Sequence, residues 1–321
     1  MKASFIIPLY NCLPLTQAMV ASLRETLPAD LECEIILVDD GSTDGTRPWL
    51  AGLAAPCRVL LNDRNLGFAG ACNRGAAAAR GEFLFFLNND LVLLPRWLEP
   101  MLAAFTRLPD AGLVGNVQRQ FASRELDHAG IGIGADGKPV HLKARPAESP
   151  LTPGYAAVPA VTGACLAVPS ELFARLGGFD EDFHNGGEDV DLGFRARAIG
   201  RTTWTALASE VLHHGSASPG RKAHDETNSY RLFRKWRAEL ERAAWRTWCE
   251  AFLADTCAGR IPRHPEAEKA AADFLRRRRP QPGRWAESNV RQLLLLEEAR
   301  WERMFEVGSN ALAAAPGITL S

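Results

Sequence analysis

The amino-acid sequence predicts an α/β protein with a mixed, mostly parallel β-sheet, followed by a helical C-terminal extension. Two observations carry this prediction. Short apolar runs alternate with helical stretches over residues 4–107, and from residue 229 onward the apolar residues recur only at helical spacing. The composition, 46% hydrophobic and 23% charged, is that of an ordinary globular protein and excludes wholesale disorder.

The first part of the chain predicts four strands and four helices. Each strand is a short apolar run that ends at a proline or a polar residue: 4–9, 34–38, 57–61 and 83–87. Each helix shows apolar residues at helical spacing: 13–26, 44–53, 67–80 and 95–107. This alternation implies right-handed βαβ units, in which ligands bind beyond the carboxyl ends of the strands.

The remainder is less regular. Residues 118–159 are rich in glycine, proline and polar residues, which predicts loops and short antiparallel strands. The elements predicted after them are a strand at 161–168, helices at 170–176 and 188–199, an edge strand at 202–207 and a polar loop at 216–228. The C-terminal part predicts helices at 230–253, 265–278 and 285–305, and a frayed end at 313–321.

Charge and cysteine content exclude several classes of protein. The chain has 37 Lys/Arg and 38 Asp/Glu, a net charge of −1, which gives no global argument for a nucleic-acid partner. Seven scattered cysteines without a Cys-x-x-Cys pair indicate reduced thiols. The N-terminus lacks a signal-peptide core, and no apolar run approaches the ~20 residues of a membrane span. We therefore expect a cytoplasmic protein; peripheral contact with the inner face of a membrane stays open.

Three of the predicted strands end in polar side chains at the same edge of the sheet. Tyr10 and Asn11 follow the first strand, Asp39 and Asp40 the second, and residues 88–90 (Asn-Asn-Asp) the fourth. Carboxylates there can accept hydrogen bonds from a base or a ribose, and oxygen ligands suit Mg²⁺ or Mn²⁺ that also holds a diphosphate. Turn and cap formation explains the same residue types, so both interpretations stay open.

A glycine-rich segment, residues 65–75, begins the third predicted helix. Glycines there let a ligand approach the backbone, and a helix N-terminus favours phosphate. The segment is not a Walker loop, because no Gly-Lys-Ser/Thr follows, and it lacks the Gly-x-Gly-x-x-Gly dinucleotide fingerprint.

Acidic and histidine residues gather in the second half. Glu188 and Asp189 begin a predicted helix, whose dipole stabilises an anion that could serve as a general base; simple capping is the alternative. Asp191 is expected to pair with Arg195 four residues later. Adjacent histidines at 213 and 214 follow a predicted strand and could ligate a metal or bind phosphate.

Together these segments resemble glycosyltransferase family 2, the inverting enzymes of the GT-A fold. The segments that carry the resemblance occur in the family's order: 4–11 (Ser-Phe-Ile-Ile-Pro-Leu-Tyr-Asn), 38–44, 86–90, 162–164 and 187–189. Segments 65–75, 178–181 and 213–215 resemble its rhamnosyltransferase-like branch, which is common in polysaccharide and O-antigen assembly. The resemblance covers residues 4–240.

The resemblance implies a GT-A catalytic domain at 1–228, with a Rossmann-like nucleotide-binding half at about 1–115 and an acceptor-side half at about 116–228. The helical extension then occupies 229–321. A nucleotide-diphospho-sugar donor would be bound mainly by residues of the first half: Pro8, Tyr10, Asn11, Asp39, Asp40, Gly67, Gly70, Asn73 and Asn89.

The resemblance also implies the chemical roles. Asp189 would be the catalytic base with Glu188 beside it, and Asp90 with His213 or, as the second choice, His214 would hold a divalent metal, Mg²⁺ or Mn²⁺. Asn88 stands where the family's Asp-x-Asp motif has its first aspartate, which predicts weaker metal binding.

The predicted function is transfer of a sugar, with inversion, to a hydroxyl of a glycan or lipid-linked acceptor, for example rhamnosyl transfer in surface polysaccharide assembly. A sugar-phosphate nucleotidyltransferase is the alternative enzyme, but it needs a glycine-rich N-terminal loop with a basic residue, which residues 4–11 lack. A catalytically inactive sugar-nucleotide-binding module is favoured only by Asn88 and opposed by Asp189.

The C-terminal extension is basic, with 17 Lys/Arg against 12 Asp/Glu in residues 231–321 and four consecutive arginines at 276–279. Three interpretations stay open: a helical cap with solvated arginines, peripheral contact with anionic lipid, and a partner or oligomer interface. Nucleic acid is the least favoured partner, because no recognition module accompanies the charge.

Overall fold

The computed structural model describes residues 2–148, 151–215 and 224–313, with side chains up to residue 305. The predictions for residues 216–223 and 314–321 therefore lie outside the described residues. The chain divides into two compact units, the first formed by Met1–Gly132 and Pro139–Asn228, the second by Ile133–Lys138 and Ser229–Ser321. Within the described part, no helix combines the length and the apolar character needed to cross a membrane.

The first unit is built on a mixed, mostly parallel sheet. The strands of the chain are β1 (Lys2–Leu9), β2 (Glu32–Asp39), β3 (Cys57–Leu61), β4 (Phe83–Leu87), β5 (Leu91–Leu93), β6 (Ala111–Gln120), β7 (Leu126–His128), β8 (Ile131–Ile133), β9 (Pro139–His141), β10 (Tyr155–Ala157), β11 (Cys165–Pro169) and β12 (Thr202–His213). The main sheet has the order β10-β12-β6-β11-β4-β1-β2-β3, with β5 added to β12 and β7 to β6, while β8 and β9 pair with each other. β1 is parallel to β2 and β4, β12 is parallel to β6, and β11 is antiparallel to both of its neighbours. The predicted α/β class is confirmed.

The helices of the first unit are α1 (Leu13–Thr26), α2 (Thr46–Ala51), α3 (Gly67–Ala78), α4 (Leu98–Arg107), α5 (Ser170–Arg175) and α6 (Glu188–Ala198). The second unit contains α8 (Pro265–Leu275), α9 (Arg284–Ala313) and most of α7 (Asp225–Cys257), which is interrupted by a non-helical backbone at Trp236. Because α7 begins at Asp225, the polar loop predicted at 216–228 is wrong for its last four residues.

The strands β1 and β4 are mostly apolar because helices cover both faces of the sheet. Phe5 and Ile7 of β1 belong to a core cluster that includes residues of α1 and α4. Ile6 belongs to the opposite cluster, which includes residues of α3, α5 and α6. A Cβ atom on Gly75 would lie 2.4 Å from Cγ2 of Ile6, so α3 is rich in glycine and alanine where it approaches the sheet.

Two strand predictions are corrected by the structure. The edge strand predicted at 202–207 continues to His213 and lies between β10 and β6. Its pairing with β6 shifts register between Ala206 and Glu210. Because of this irregularity, the alternation of side chains did not indicate that the strand continues beyond residue 207. The strand predicted at 161–168 begins only at Cys165, because residues 163–164 form a turn.

β6 was not predicted at all, although it lies in the middle of the sheet beside β11. Gly112, Gly115, Asn116 and Gln118 interrupt its apolar pattern. The two amide side chains are nevertheless buried, at 2% and 0% exposure. Residues 111–120 therefore form a strand because they are buried in the sheet, although their local residue preferences disfavour a strand.

Candidate active site

The carboxyl end of β2 carries two buried aspartates that organise the loops around it. Asp39 is fully buried and accepts a hydrogen bond from Nε of Arg47 over 2.7 Å. Asp40 accepts backbone hydrogen bonds from Leu66 at 2.8 Å and from Gly67 at 2.9 Å. Gly67 begins α3, so Asp40 caps the positive end of that helix from another element.

Tyr10 and Asn11 lie directly beyond the end of β1. The side-chain oxygen of Asn11 accepts hydrogen bonds from the backbone of Thr43 at 2.8 Å and of Asp44 at 3.3 Å. These bonds tie the segment after β1 to the loop after β2. Tyr10 is 46% exposed, so its ring offers a surface on which a planar base could stack. Pro8 lies earlier, inside β1.

Asn89 and Asp90 follow β4 and have different surroundings. The amide of Asn89 donates to Oγ1 of Thr16 over 2.9 Å and thereby holds the start of α1. Oδ1 of Asp90 lies 3.2 Å from Nε2 of His213, the last residue of β12. Asp90 and His213 are 7% and 5% exposed, so the end of β12 brings an imidazole to a buried carboxylate.

The two adjacent histidines are not equivalent. Nδ1 of His213 faces Oδ2 of Asp127 at 3.9 Å, which is too long for a hydrogen bond. The ring of His214 stacks on Phe121, with 3.9 Å between the ring centroids, and only its backbone N–H donates to the carbonyl of Asp90. The structure thus places the His213 imidazole, and not that of His214, against the Asp90 carboxylate.

The N-terminus of α6 carries the acidic pair predicted for catalysis. Asp189 accepts two backbone hydrogen bonds, from Gly163 at 2.9 Å on Oδ2 and from Val190 at 2.8 Å on Oδ1. Glu188 accepts a hydrogen bond from the backbone of Gly186 over 2.7 Å. The backbone thus fixes the orientation of both carboxylates, and the helix dipole stabilises their charge.

The glycine-rich start of α3 faces the loop that precedes α6. The amide of Asn73 donates to the carbonyl of Phe179 and to the carboxylate of Glu181, both over 2.9 Å, and accepts from the Phe179 N–H over 2.8 Å. A Cβ atom on Gly70 would lie 3.7 Å from the same Glu181 carboxylate. Asn73 therefore holds this loop against α3.

Two of the acidic segments meet beside α3. Burial raises the pKa of the Cys72 thiol well above its ordinary value, and the negative charges of Glu188 and Asp40 raise it further. The charges of Glu188 and Asp40 thus both act on Cys72, a residue of α3. The N–H of Phe68, in the first turn of α3, donates to Oδ1 of Asn185 over 3.2 Å, which joins α3 to the segment before α6.

The turn before β11 connects the end of β4 to the acidic pair Glu188 and Asp189. The N–H of Asn88 donates to the carbonyl of Ala164 over 2.8 Å. The neighbouring Gly163 donates to Asp189, as described above. A continuous path of short contacts thus runs from the segment that bears Asp90 to Asp189.

Several contributors were missed by the sequence analysis. Asp127 faces His213 from β7; burial raises its pKa, but the hydrogen bond from Lys143 and the charge of His128 lower that pKa overall. Burial, followed by the charge of His141, lowers the pKa of His128 to about 3. Asp127 is a single acidic residue in a segment that was predicted as loop, so its sequence context did not indicate that it lies beside His213.

The predicted ion pair between Asp191 and Arg195 is confirmed, with 2.7 Å between Oδ2 and Nε. Asp191 is fully buried, and Arg195 also donates to the backbone carbonyl of Gly178 over 2.7 Å. The pair therefore braces the loop that leads into α6.

The donor set at Asp90 fits a divalent cation only in part. Among the described residues, no group of three or more His, Cys, Asp and Glu side chains is placed to hold a metal ion. Asp90 and His213 supply one oxygen and one nitrogen donor, and neither ring nitrogen of His213 meets the geometry of a hydrogen bond within the described part. Such a two-donor site suits Mg²⁺ or Mn²⁺ when phosphate oxygens and water complete the shell.

Comparison with known proteins gives the family. Residues 4–162 match the family model described as glycosyl transferase family 2. The N-acetylglucosaminyl-diphospho-decaprenol L-rhamnosyltransferase of Mycobacterium tuberculosis is 30% identical over 239 residues, which are 66% of this chain and 76% of that protein. The chain belongs to glycosyltransferase family 2. The O-antigen biosynthesis protein RfbC of Myxococcus xanthus is 33% identical over 247 residues, 73% of this chain and 19% of that protein.

The rhamnosyltransferase-like character predicted from the motifs is confirmed by these relatives. This chain spans 19% and 27% of the first two curated relatives that it matches. Among solved structures, GalNAc-T7, crystallised with UDP, GalNAc and Mn²⁺, aligns with a TM-score of 0.63 at 19% identity and covers 74% of this chain and 49% of that one. The predicted GT-A fold is thereby confirmed.

Proposed function

We propose that this family 2 protein transfers a sugar from a nucleotide-diphospho-sugar to a hydroxyl group of a glycan or lipid-linked acceptor, with inversion at the anomeric carbon. The observation that carries the proposal is Asp189, a carboxylate fixed by two backbone N–H groups beside the segment that bears Asp90. The relatives support it, because one is named N-acetylglucosaminyl-diphospho-decaprenol L-rhamnosyltransferase.

Asp189 is assigned as the general base. Its carboxylate takes the proton of the acceptor hydroxyl as the hydroxyl oxygen bonds to the anomeric carbon of the donor. On the opposite face of the sugar, the bond from that carbon to the diphosphate oxygen breaks, and the nucleoside diphosphate leaves. One displacement of this kind inverts the anomeric configuration and needs no nucleophile from the protein.

The metal is assigned to Asp90 and His213. These two side chains would hold the cation, and it would supply positive charge for the departing diphosphate. Asn88 contributes no carboxylate, so the diphosphate would be needed as a further ligand. GalNAc-T7, which shares the fold, was crystallised with Mn²⁺, and the choice between Mg²⁺ and Mn²⁺ is part of the experiment below.

The donor is assigned to the edge formed by the ends of β1 and β2 and the start of α3. The exposed ring of Tyr10 provides a stacking surface, while Asn11, Asp39 and Asp40 hold the loops that frame it. The remaining residues assigned to this side act from the same strand edge or from α3: Pro8, Gly67, Gly70, Asn73 and Asn89.

We also propose that residues 1–228 form the catalytic domain, with its nucleotide-binding half at about 1–115 and its acceptor side at about 116–228. The division of the structure into two units supports this boundary. The acceptor class fits surface polysaccharide assembly, in view of the O-antigen biosynthesis relative.

The function is tested in two steps with the full chain. A panel of nucleoside-diphospho-sugars, each with Mg²⁺ or Mn²⁺, is screened for a rise in Tm, since a ligand that binds only the native state stabilises it. The donor that binds is then incubated with polyprenyl-diphospho-sugar acceptors, and the anomeric configuration of the product is read by NMR. Transfer with inversion supports the proposal, whereas retention, or release of pyrophosphate from a nucleoside triphosphate, contradicts it.

A further inference from the structure

The second unit contains an open cleft with an unusual lining. Its volume is about 490 Å³, and it lies where the end of α8 meets α7. The residues that line it are Arg246, Phe274, Arg277, Arg278, Arg279 and Pro280. Four arginines therefore line one space, and the lining includes no Asp or Glu.

Six arginines of this unit that lie outside the cleft are each paired with a carboxylate, whereas the arginines of the cleft are neutralised weakly or not at all. The paired arginines outside the cleft lie 2.6–3.4 Å from their partners: Arg237, Arg242, Arg260, Arg263, Arg291 and Arg300. In the cleft, Arg277 and Arg279 have no carboxylate within 4.0 Å among the described residues. The pair of Arg246 with Glu250 is more than half exposed on both sides, which makes it weak.

The fourth arginine of the cleft, Arg278, is also only weakly neutralised by a carboxylate. Its guanidinium lies 4.0 Å from Asp273, at the limit of an ion pair. Asp273 is already paired with Lys269 at 2.9 Å, and the hydrogen bond from Lys269 is the main cause that lowers the pKa of Asp273. The positive charge of the cleft is therefore largely uncompensated.

The end of α8 explains how consecutive arginines come to surround one space. Arg277 adopts a left-handed backbone, with φ of +57°, and its N–H donates to the carbonyl of Phe274 over 2.9 Å. The N–H of Arg278 donates to the carbonyl of Asp273 over 2.8 Å, which completes a Schellman turn. Interaction with the helix dipole accounts for basic residues at this end of α8, but it does not account for Arg246, which comes from α7.

We propose that this cleft binds a phosphate or diphosphate group. Guanidinium groups match phosphate oxygens in geometry and remain charged at every physiological pH. Phe274 and Pro280 add an apolar part to the lining. The group could belong to a free phosphate compound or to an anionic lipid headgroup; the cleft chemistry is the same for both. The proposal does not depend on the function of the first unit.

The test uses the full chain and two matched double variants. R277Q/R279Q removes the two cleft arginines that lack carboxylate partners, and R284Q/R303Q removes the same charge from exposed positions outside the cleft. Pyrophosphate binding is measured by calorimetry in EDTA, so that no divalent ion assists binding near Asp90. A third variant, R277K/R279K, keeps the charge and loses the planar guanidinium.

We expect R277Q/R279Q to weaken pyrophosphate binding about tenfold or more, R277K/R279K to weaken it less, and R284Q/R303Q to change it by less than about twofold. Sedimentation with phosphatidylcholine vesicles, with and without phosphatidylglycerol, shows whether the bound phosphate group belongs to a lipid or to a soluble compound. Binding to the anionic vesicles that only R277Q/R279Q abolishes assigns a lipid headgroup, and pyrophosphate binding without vesicle binding assigns a soluble phosphate compound. Absence of both, or equal losses in the two glutamine variants, overturns the proposal.

Discussion

The backbone N–H of Gly163 donates to Oδ2 of Asp189 over 2.9 Å, which joins the turn before β11 to the first turn of α6. This bond orients the carboxylate that we assign as the base, and the turn that makes it leaves little room for a side chain at position 163. A Cβ atom there would lie 2.9 Å from the ring of Phe68.

Replacement of Gly163 by alanine is therefore expected to disturb the site. The ring of Phe68 must move, at a cost of about 1–3 kcal/mol in the free energy of unfolding, and the turn shifts away from Asp189. We expect kcat to fall while the affinity for the donor changes little, as measured by steady-state kinetics and donor titration. Gly52→Ala is the control, because a Cβ at Gly52 would make an ordinary contact of 3.5 Å. Wild-type kcat in Gly163→Ala would show that this bond does not orient the base.

The two histidines after β12 are expected to differ in metal binding. His213→Ala removes the imidazole that faces Asp90, so the Mn²⁺ concentration needed for half of the thermal stabilisation should rise about tenfold or more. His214→Ala is the control and should leave that concentration unchanged, because the ring of His214 stacks on Phe121. The opposite ranking of the two variants would assign the metal to His214.

The buried ion pair of α6 is expected to be costly to break. Arg195→Met leaves the fully buried carboxylate of Asp191 without its cation, at a cost of about 3–5 kcal/mol in the free energy of unfolding. The double variant with Asp191→Asn should recover much of this loss, because no uncompensated charge remains. Urea unfolding of the two single variants and the double variant measures the coupling. Additive losses would mean that the two side chains are energetically independent.

His128 is expected to make the protein less stable in mild acid. Its pKa is lowered to about 3 in the folded state, so between its ordinary pKa of 6.5 and about 3 the unfolded chain binds a proton that the folded chain does not. The contribution of neutral His128 to the free energy of unfolding is complete above pH 6.5. Below pH 6.5 it falls by about 1.4 kcal/mol for each pH unit. In His128→Phe the unfolding free energy should depend less steeply on pH in this range, by about 1.4 kcal/mol per pH unit, because one proton fewer is taken up on unfolding. An unchanged slope would mean that His128 titrates normally in the folded protein.

The strand ends and the acidic start of α6 could be predicted because their signals are local. Apolar runs that stop at Asp39 or Asn88 mark the end of a buried strand, and the four-residue spacing of Asp191 and Arg195 fixes their contact on a helix. The side chain opposite His213 could not be predicted, because Asp127 reaches it only through the pairing of β7 with β6.

The contacts of individual polar residues also could not be predicted from a sequence pattern. Asn73 lies in a glycine-rich segment typical of a ligand-binding loop, yet its amide bonds to residues 179–181, more than 100 positions away. Only the packing of α3 against that loop decides this pairing. The central position of β12 depends in the same way on pairing with β6, since its own residues resemble an edge strand.

The most direct test of the account is the turnover of Asp189→Asn, compared with Asp182→Asn, an exposed carboxylate in the loop before α6. Asparagine keeps the shape of the side chain, removes the basic carboxylate and can accept only one of the two backbone hydrogen bonds that Asp189 accepts. With the donor found by the thermal screen, transfer by Asp189→Asn should fall at least about a hundredfold while donor binding stays within about twofold, and Asp182→Asn should match the wild type. Transfer at the wild-type rate by Asp189→Asn would contradict its role as the base.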